Sequence, residues 1–223
     1  MHAFYHSFIN LLFIGLVALF PVVNPIGSAF IISPYFSNLN SSEKRQAVGK
    51  ITLYAFLICT VSLFAGHWIL ELFGISIPVI QLAGGIMICK MGWEFLSTDK
   101  KPDDASANTP DADQSGYTSI QDKLFYPITF PVTTGAGTIS VLFTLSAHSE
   151  STDITHYLIN TSAILLSIIV MCILIYVFYM NTKTIINYLG SNGETIVNRV
   201  TAFLIFCVGL QIALTGIKTL FKI

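Results

Sequence analysis

Six stretches of this chain are dominated by aliphatic and aromatic side chains over at least about 20 residues, enough for each to cross a bilayer as a helix. They run from Phe8 to Phe36, Ile51 to Phe73, Ile75 to Leu96, Leu124 to Ala147, Tyr157 to Met180 and Val200 to Leu220. Charged residues make up 10% of the chain and hydrophobic residues 53%, whereas an ordinary soluble domain is about 25% charged. An integral membrane protein with the lipid bilayer as its surroundings follows. The ten-residue alternating segments of a membrane barrel are missing, so the spans read as helices and the fold class as all-α. The first segment opens with Met1-His2-Ala3-Phe4, without Lys or Arg, and its apolar run exceeds the core of a secretory signal, so it reads as a span. A net charge of −1 gives no reason to expect a nucleic-acid partner.

The few charges lie between the spans and set an expected orientation. Lys44, Arg45 and Lys50 follow span one, Lys100, Lys101 and Lys123 follow span three, and Lys183 and Arg199 follow span five, against Lys218 and Lys222 in the tail. By the positive-inside rule these three connections face the cytoplasm and both termini lie outside. Residues 97–122 hold six Asp among Ala, Ser, Asn and Pro and read as a polar linker. The linker divides the chain into a three-helix unit at 1–96 and a second at 123–223. Cys59, Cys89, Cys172 and Cys207 stand singly inside spans, so neither a zinc site nor a disulfide framework is expected, and no cofactor is called for. His148, Glu150, Asp153 and His156 in the turn before span five read as an exposed polar turn rather than a metal site.

Spans one and four are each interrupted. Phe20-Pro21-Val22-Val23-Asn24-Pro25-Ile26-Gly27 sits inside the first, and Phe130-Pro131-Val132-Thr133-Thr134-Gly135-Ala136-Gly137 inside the fourth, 110 positions later. An uninterrupted helix places neither Pro nor Gly there. Asn24 before Pro25 has the form of a helix cap followed by proline in the first turn, and Thr133 or Thr134 is placed to cap a half-helix beginning near Gly135. With three spans per half, the halves must sit upside down relative to one another, giving six transmembrane helices as a 3+3 inverted repeat with broken helices one and four. Matched breaks in the two halves of a membrane protein point to a solute site at their meeting. Both half-helix N-termini then face one centre, where free N–H groups favour a carboxylate. The middle of every span lacks Asp, Glu, Lys and Arg, so a small neutral or zwitterionic solute fits better than an inorganic cation. The candidate binding residues are Asn24, Pro25, Gly27, Thr133, Thr134, Gly135 and Gly137, with no catalytic or metal-ligating residue among them.

Elsewhere, Gly84-Gly85 in span three lets another backbone approach closely. Lys90 and Glu94, four apart near the cytoplasmic end of that span, are placed to pair on one helix face. Span five, nearly uniform Leu, Ile and Val, reads as a lipid-facing or packing helix, and Asn181 to Arg199, with Gly190 and Gly193, as a connection. An offset of 118 lays span three on span six and puts Gln81 on Arg199 and Cys89 on Cys207.

Asn24-Pro25, Phe73-Gly74-Ile75-Ser76-Ile77-Pro78, Ala83-Gly84-Gly85, Pro131 to Gly137, and Arg199 with Gln211 and Gly216 together resemble the MarC family of bacterial inner-membrane proteins, labelled multiple-antibiotic-resistance-related. The resemblance covers nearly the whole chain and implies an inner-membrane location. Some relatives are linked to neutral amino-acid transport, which makes Gln81, Arg199 and Gln211 secondary candidates. The chain departs from the family at two places. Gly135-Ala136-Gly137 stands where the family has Gly-Pro-Gly, which implies a softer second break, and Gln81 stands where it has Arg.

The expectation is therefore a secondary transporter or exporter of small neutral amino acids or similar metabolites, and not an enzyme. Its alternative is a non-transporting membrane scaffold or regulator. A transmembrane thiol relay is disfavoured, because Asn24-Pro25 and Thr134-Gly135 stand where it would need cysteine. Intramembrane proteolysis lacks a Ser/His dyad or paired Asp within the spans.

Overall fold

The computed structural model describes residues 2–97, 120–149 and 153–221. Most of the linker, at 98–119, lies outside the described residues, as do Glu150 and Lys222. The described residues form helices and short turns, with no strand among them. In chain order these are α1 (His2–Val23), α2 (Pro25–Ile32) with a 3-10 turn at Ser33–Phe36, α3 (Ser41–Leu72), α4 (Ile77–Ser97), α5 (Leu124–Thr133), α6 (Ala136–Ser149), α7 (Ile154–Met180) and α8 (Thr182–Phe221). Five helical stretches are long and apolar enough to cross a membrane, and α5 with α6, bent by 62° at their junction, makes a sixth if the bent pair is one span.

Local chemistry accounts for the ends of these elements. Asn40 and Glu43 form a reciprocal capping box that starts α3, each side chain accepting the other's backbone N–H at 2.9 Å. Gly74, at φ +63°, ends it: the Ile75 N–H donates back to Leu70 O at 2.8 Å, a wrap that needs the left-handed region glycine tolerates. Pro78 then occupies the first turn of α4, where its missing N–H costs nothing. Asp153 starts α7 by accepting the Thr155 N–H at 2.9 Å.

One expectation changes here. The stretch Asn181 to Arg199 is not a connection but the first half of α8, which runs unbroken to Phe221. It contains no proline, and its glycines each cost a helix only about 1 kcal/mol, so it stays helical. The second break is bent by 62°, with Pro127 and Pro131 on its N-terminal side disrupting the ladder.

Packing follows small residues. α4 and α8 run antiparallel with Gly85 against Gly209 and Ala213, Gly92 against Ala202 and Phe206, and Gly216 against Pro78 and Leu82. A Cβ added at Gly209 would lie 2.6 Å from Cys89 N, and one at Gly216 2.7 Å from Pro78 O, so the backbones touch directly. Gly15 of α1 receives Ser167 of α7, whose hydroxyl donates to Leu12 O at 3.0 Å. α7 is a packing helix on one face, burying Ala163, Ile164, Ser167, Ile168, Met171, Ile175 and Tyr179 against α1, α2 and α3, while Leu166, Ile169, Ile173 and Val177 on the other face stay exposed. Lys44 closes one end of the bundle. Its Nζ donates to Met180 O and Thr182 Oγ1, both at 2.8 Å, and lies over the Phe36 ring.

Candidate functional site

The first break is built as the sequence suggests. Asn24 adopts the left-handed region (φ 45°, ψ 61°) and its Oδ1 accepts the Gly27 N–H at 3.0 Å, with Pro25 in the first turn of α2. Gly27 is required there, because a Cβ would collide with the Asn24 amide. One residue further on, Ser28 is buried. Its backbone N–H and its hydroxyl both donate to Asn24 O, at 2.9 Å and 2.8 Å.

The second break has different chemistry. α5 is a wide coil with π-type hydrogen bonds, extended at Tyr126 and Phe130. Its threonine hydroxyls donate to carbonyls five residues back: Thr129 to Leu124 at 2.6 Å, Thr133 to Ile128 at 2.8 Å and Thr134 to Thr129 at 3.1 Å. A threonine hydroxyl in a regular helix reaches three or four residues back, and the wider coil moves the acceptor to five. Thr134 is thus a C-terminal cap of α5 and not the expected N-terminal cap of α6, and Thr133 does not cap α6 either. The α6 ladder starts from Gly135, whose carbonyl accepts the Ile139 N–H at 3.2 Å.

The two breaks are neighbours. α1 packs on α6 and α2 on α5, and a Cβ on Gly137 would lie 2.9 Å from Val22 Cγ1 and 3.0 Å from Ile88 Cγ1. One residue that the sequence does not mark bridges them. Tyr179, near the end of α7, is fully buried with its hydroxyl 2.8 Å from Thr133 Oγ1 and in the neighbourhood of Ser28. The Thr133 proton goes to Ile128 O, so the Tyr179 O–H is the donor to Thr133. Asn24, Ser28, Tyr179, Thr133 and Thr134 form one polar seam through a core otherwise made of Leu19, Val22, Ile128, Leu142 and Ile175.

The secondary candidates do not join this seam. Gln81 is buried in the second turn of α4 beside Gly216, with no partner for its Oε1. Arg199 Nη1 donates to Leu96 O at the opposite end of α4, about 22 Å away at 1.5 Å per residue. Gln211 is exposed on α8. Lys90 and Glu94 pair at 3.7 Å with side chains 70% and 61% exposed, so they face away from the bundle. Asp153, besides capping α7, lies 3.9 Å from His156.

Several proteins similar to this chain bear one name. The "UPF0056 inner membrane protein MarC" of Escherichia coli strain K12 is 26% identical over 210 residues, covering 94% of this chain and 95% of that protein. The protein of the same name from Shigella flexneri matches to the same extent. No solved structure matches the chain. The model for the MarC family of integral membrane proteins matches residues 9–221, which takes in both breaks, the seam between them and all of the spans, and the chain belongs to that family.

Proposed function

We propose that this protein is a secondary transporter or exporter of small neutral amino acids or similar metabolites, working by alternating access around the two breaks, and not an enzyme. The observation that carries the reading is the meeting of two interrupted helices, 110 residues apart in sequence, at a buried polar seam between α2, α5 and α7. Irregular backbone at membrane depth is tolerated where protein or a bound solute satisfies it. Paired broken helices are how transporters build such places. The seam offers hydroxyl, amide and helix-terminus groups without a charged side chain, which suits a solute that carries its own compensating charges.

The reading includes a 3+3 inverted repeat in the bacterial inner membrane, with both termini outside. The packing supports it, because exchanging the first three spans with the last three maps each main contact onto another. α1 on α7 becomes α5–α6 on α3, and α4 on α8 becomes itself. The names of the similar proteins support the inner membrane.

The test is binding followed by exchange. The purified chain should be stabilised by glycine, L-alanine or L-serine, by about 2.7 kcal/mol at a hundredfold excess over Kd. Proteoliposomes preloaded with the unlabelled ligand should then accumulate the labelled one. No stabilisation by any neutral amino acid would sink the proposal in favour of a scaffold.

A further inference from the structure

The two breaks differ in which polar groups they leave open. At the first, the Gly27 N–H is held by Asn24, and the Ser28 N–H and hydroxyl are both held by Asn24 O. At the second, the hydroxyls of Thr129, Thr133 and Thr134 all point upstream into α5, away from the helix that follows. The N–H groups of Ala136, Gly137 and Thr138 lie in the first turn of α6, where an α-helix offers no acceptor of its own.

A second observation falls on that same turn. Thr138 is 0% exposed and its Oγ1 has no hydrogen-bond partner. A helical threonine normally donates to the carbonyl four residues back. For Thr138 that residue is Thr134, whose extended backbone (φ −129°, ψ 91°) carries its carbonyl off the α6 ladder. Ser28, the residue 110 positions earlier, keeps this bond because Asn24 O stays in the ladder of α2. Helical spacing puts Thr138 on one face with Val141, Leu142 and Leu145, all buried in the core. Gly137 and Ser140, on the neighbouring face, meet Ile88 and Gly84 of α4. The orphaned hydroxyl thus looks into the bundle at the level of the break.

We propose that the first turn of α6 receives the carboxylate of an α-amino acid, with Thr138 Oγ1–H and the first-turn N–H groups as donors. This makes Thr138 a specificity-determining contact. The proposal rests on the transporter reading and adds that the two breaks are unequal: the Asn24 break is internally satisfied and structural, and the α6 break takes the anion. A buried hydroxyl without a partner is costly, and a carboxylate arriving at a helix N-terminus supplies the missing acceptor while meeting the positive end of the helix.

The experiment is titration calorimetry and thermal unfolding of the purified full chain, with L-alanine and with L-alaninamide, which lacks the carboxylate. Wild type should bind L-alanine at least about tenfold tighter than L-alaninamide, as expected for hydrogen bonds to a charged acceptor. Thr138→Val should weaken L-alanine binding at least about tenfold, with the ligand-free unfolding midpoint unchanged or raised because an unsatisfied hydroxyl has been removed. Thr138→Ser should restore binding. Wild-type affinity in Thr138→Val overturns the proposal, as does equal affinity of wild type for the two probes, or loss of binding in Thr138→Ser. If Thr138→Val does not fold, Thr138→Ala carries the same expectations. A wild-type chain that binds no neutral amino acid overturns the transporter reading together with this one, whereas a wild type that binds L-alanine with Thr138 irrelevant overturns this one alone.

Discussion

Asn24 combines two demands in one residue: a left-handed backbone (φ 45°) and a side-chain oxygen that holds the Gly27 N–H. Asparagine tolerates that backbone better than any other residue with a Cβ, glycine excepted only because it has none. The two demands separate by substitution. Asn24→Gly keeps the backbone and, at a cap, should cost only a few tenths of a kcal/mol. Asn24→Ala loses the cap and adds left-handed strain, for roughly 1.5 to 4 kcal/mol together. Thermal unfolding in detergent should rank them in that order, and equal losses would show that the cap and not the backbone governs this position. Tyr179 is the other residue with a separable role. Because Ser28 and Thr133 send their protons to Asn24 O and Ile128 O, Tyr179→Phe orphans neither donor and should cost no more than about 0.5 to 1.5 kcal/mol. A larger loss would mean that Tyr179 fixes the geometry of both breaks.

At the scale of elements, the close contact of α4 and α8 gives a paired prediction. A Cβ at Gly85 runs into the backbone of Ala213 and Gly209, whereas one at Gly49, inside α3, meets nothing within 4 Å. Gly85→Ala should force the helices apart and cost about 1 to 3 kcal/mol, and Gly49→Ala should gain roughly 0.5 to 1 kcal/mol by helix propensity alone. Measured unfolding midpoints that move in the same direction for both would contradict the packing. The spans themselves are legible in the sequence because a membrane demands about 20 apolar residues at a time, and the first break is legible because Asn-Pro has a specific local geometry. The rest depends on context that no local pattern carries. Gly190 and Gly193 look like turn residues, yet no proline follows to stop α8. Thr134 looks like a cap for α6, yet the widened coil of α5 offers its hydroxyl a nearer carbonyl. Tyr179 is one aromatic among many at the end of an apolar segment, and only the fold brings it between Ser28 and Thr133.

In the whole molecule, the main packing partner of each span lies in the other half of the chain. α1 rests on α7, α3 on α6 and α7, and α4 on α8 and α6, while consecutive spans within a half meet far less. Two cationic side chains reinforce the crossing at helix C-terminal ends, where positive charge is favoured. Lys44 of the first half reaches Met180 O and Thr182 at the α7–α8 junction, and Arg199 of the second half reaches Leu96 O in the last turn of α4. Interleaved halves cannot rock against one another as two rigid bodies. Any alternating access must instead move groups of helices drawn from both halves, and the α4–α8 pair is the most self-contained of these. The same interleaving predicts how the chain folds. Residues 1–97 expressed alone expose the faces that α6, α7 and α8 cover, so the fragment should fail to accumulate in the membrane, and residues 120–223 should fail likewise. Co-expressed, the two fragments should assemble, because the break between them falls in the polar linker and leaves every described interhelical contact intact. The measurement is membrane yield and monodispersity after purification through a tag on one fragment only. A first half that is abundant and monodisperse by itself would show that each half is an independent folding unit, and would return half-against-half rocking to the possible mechanisms.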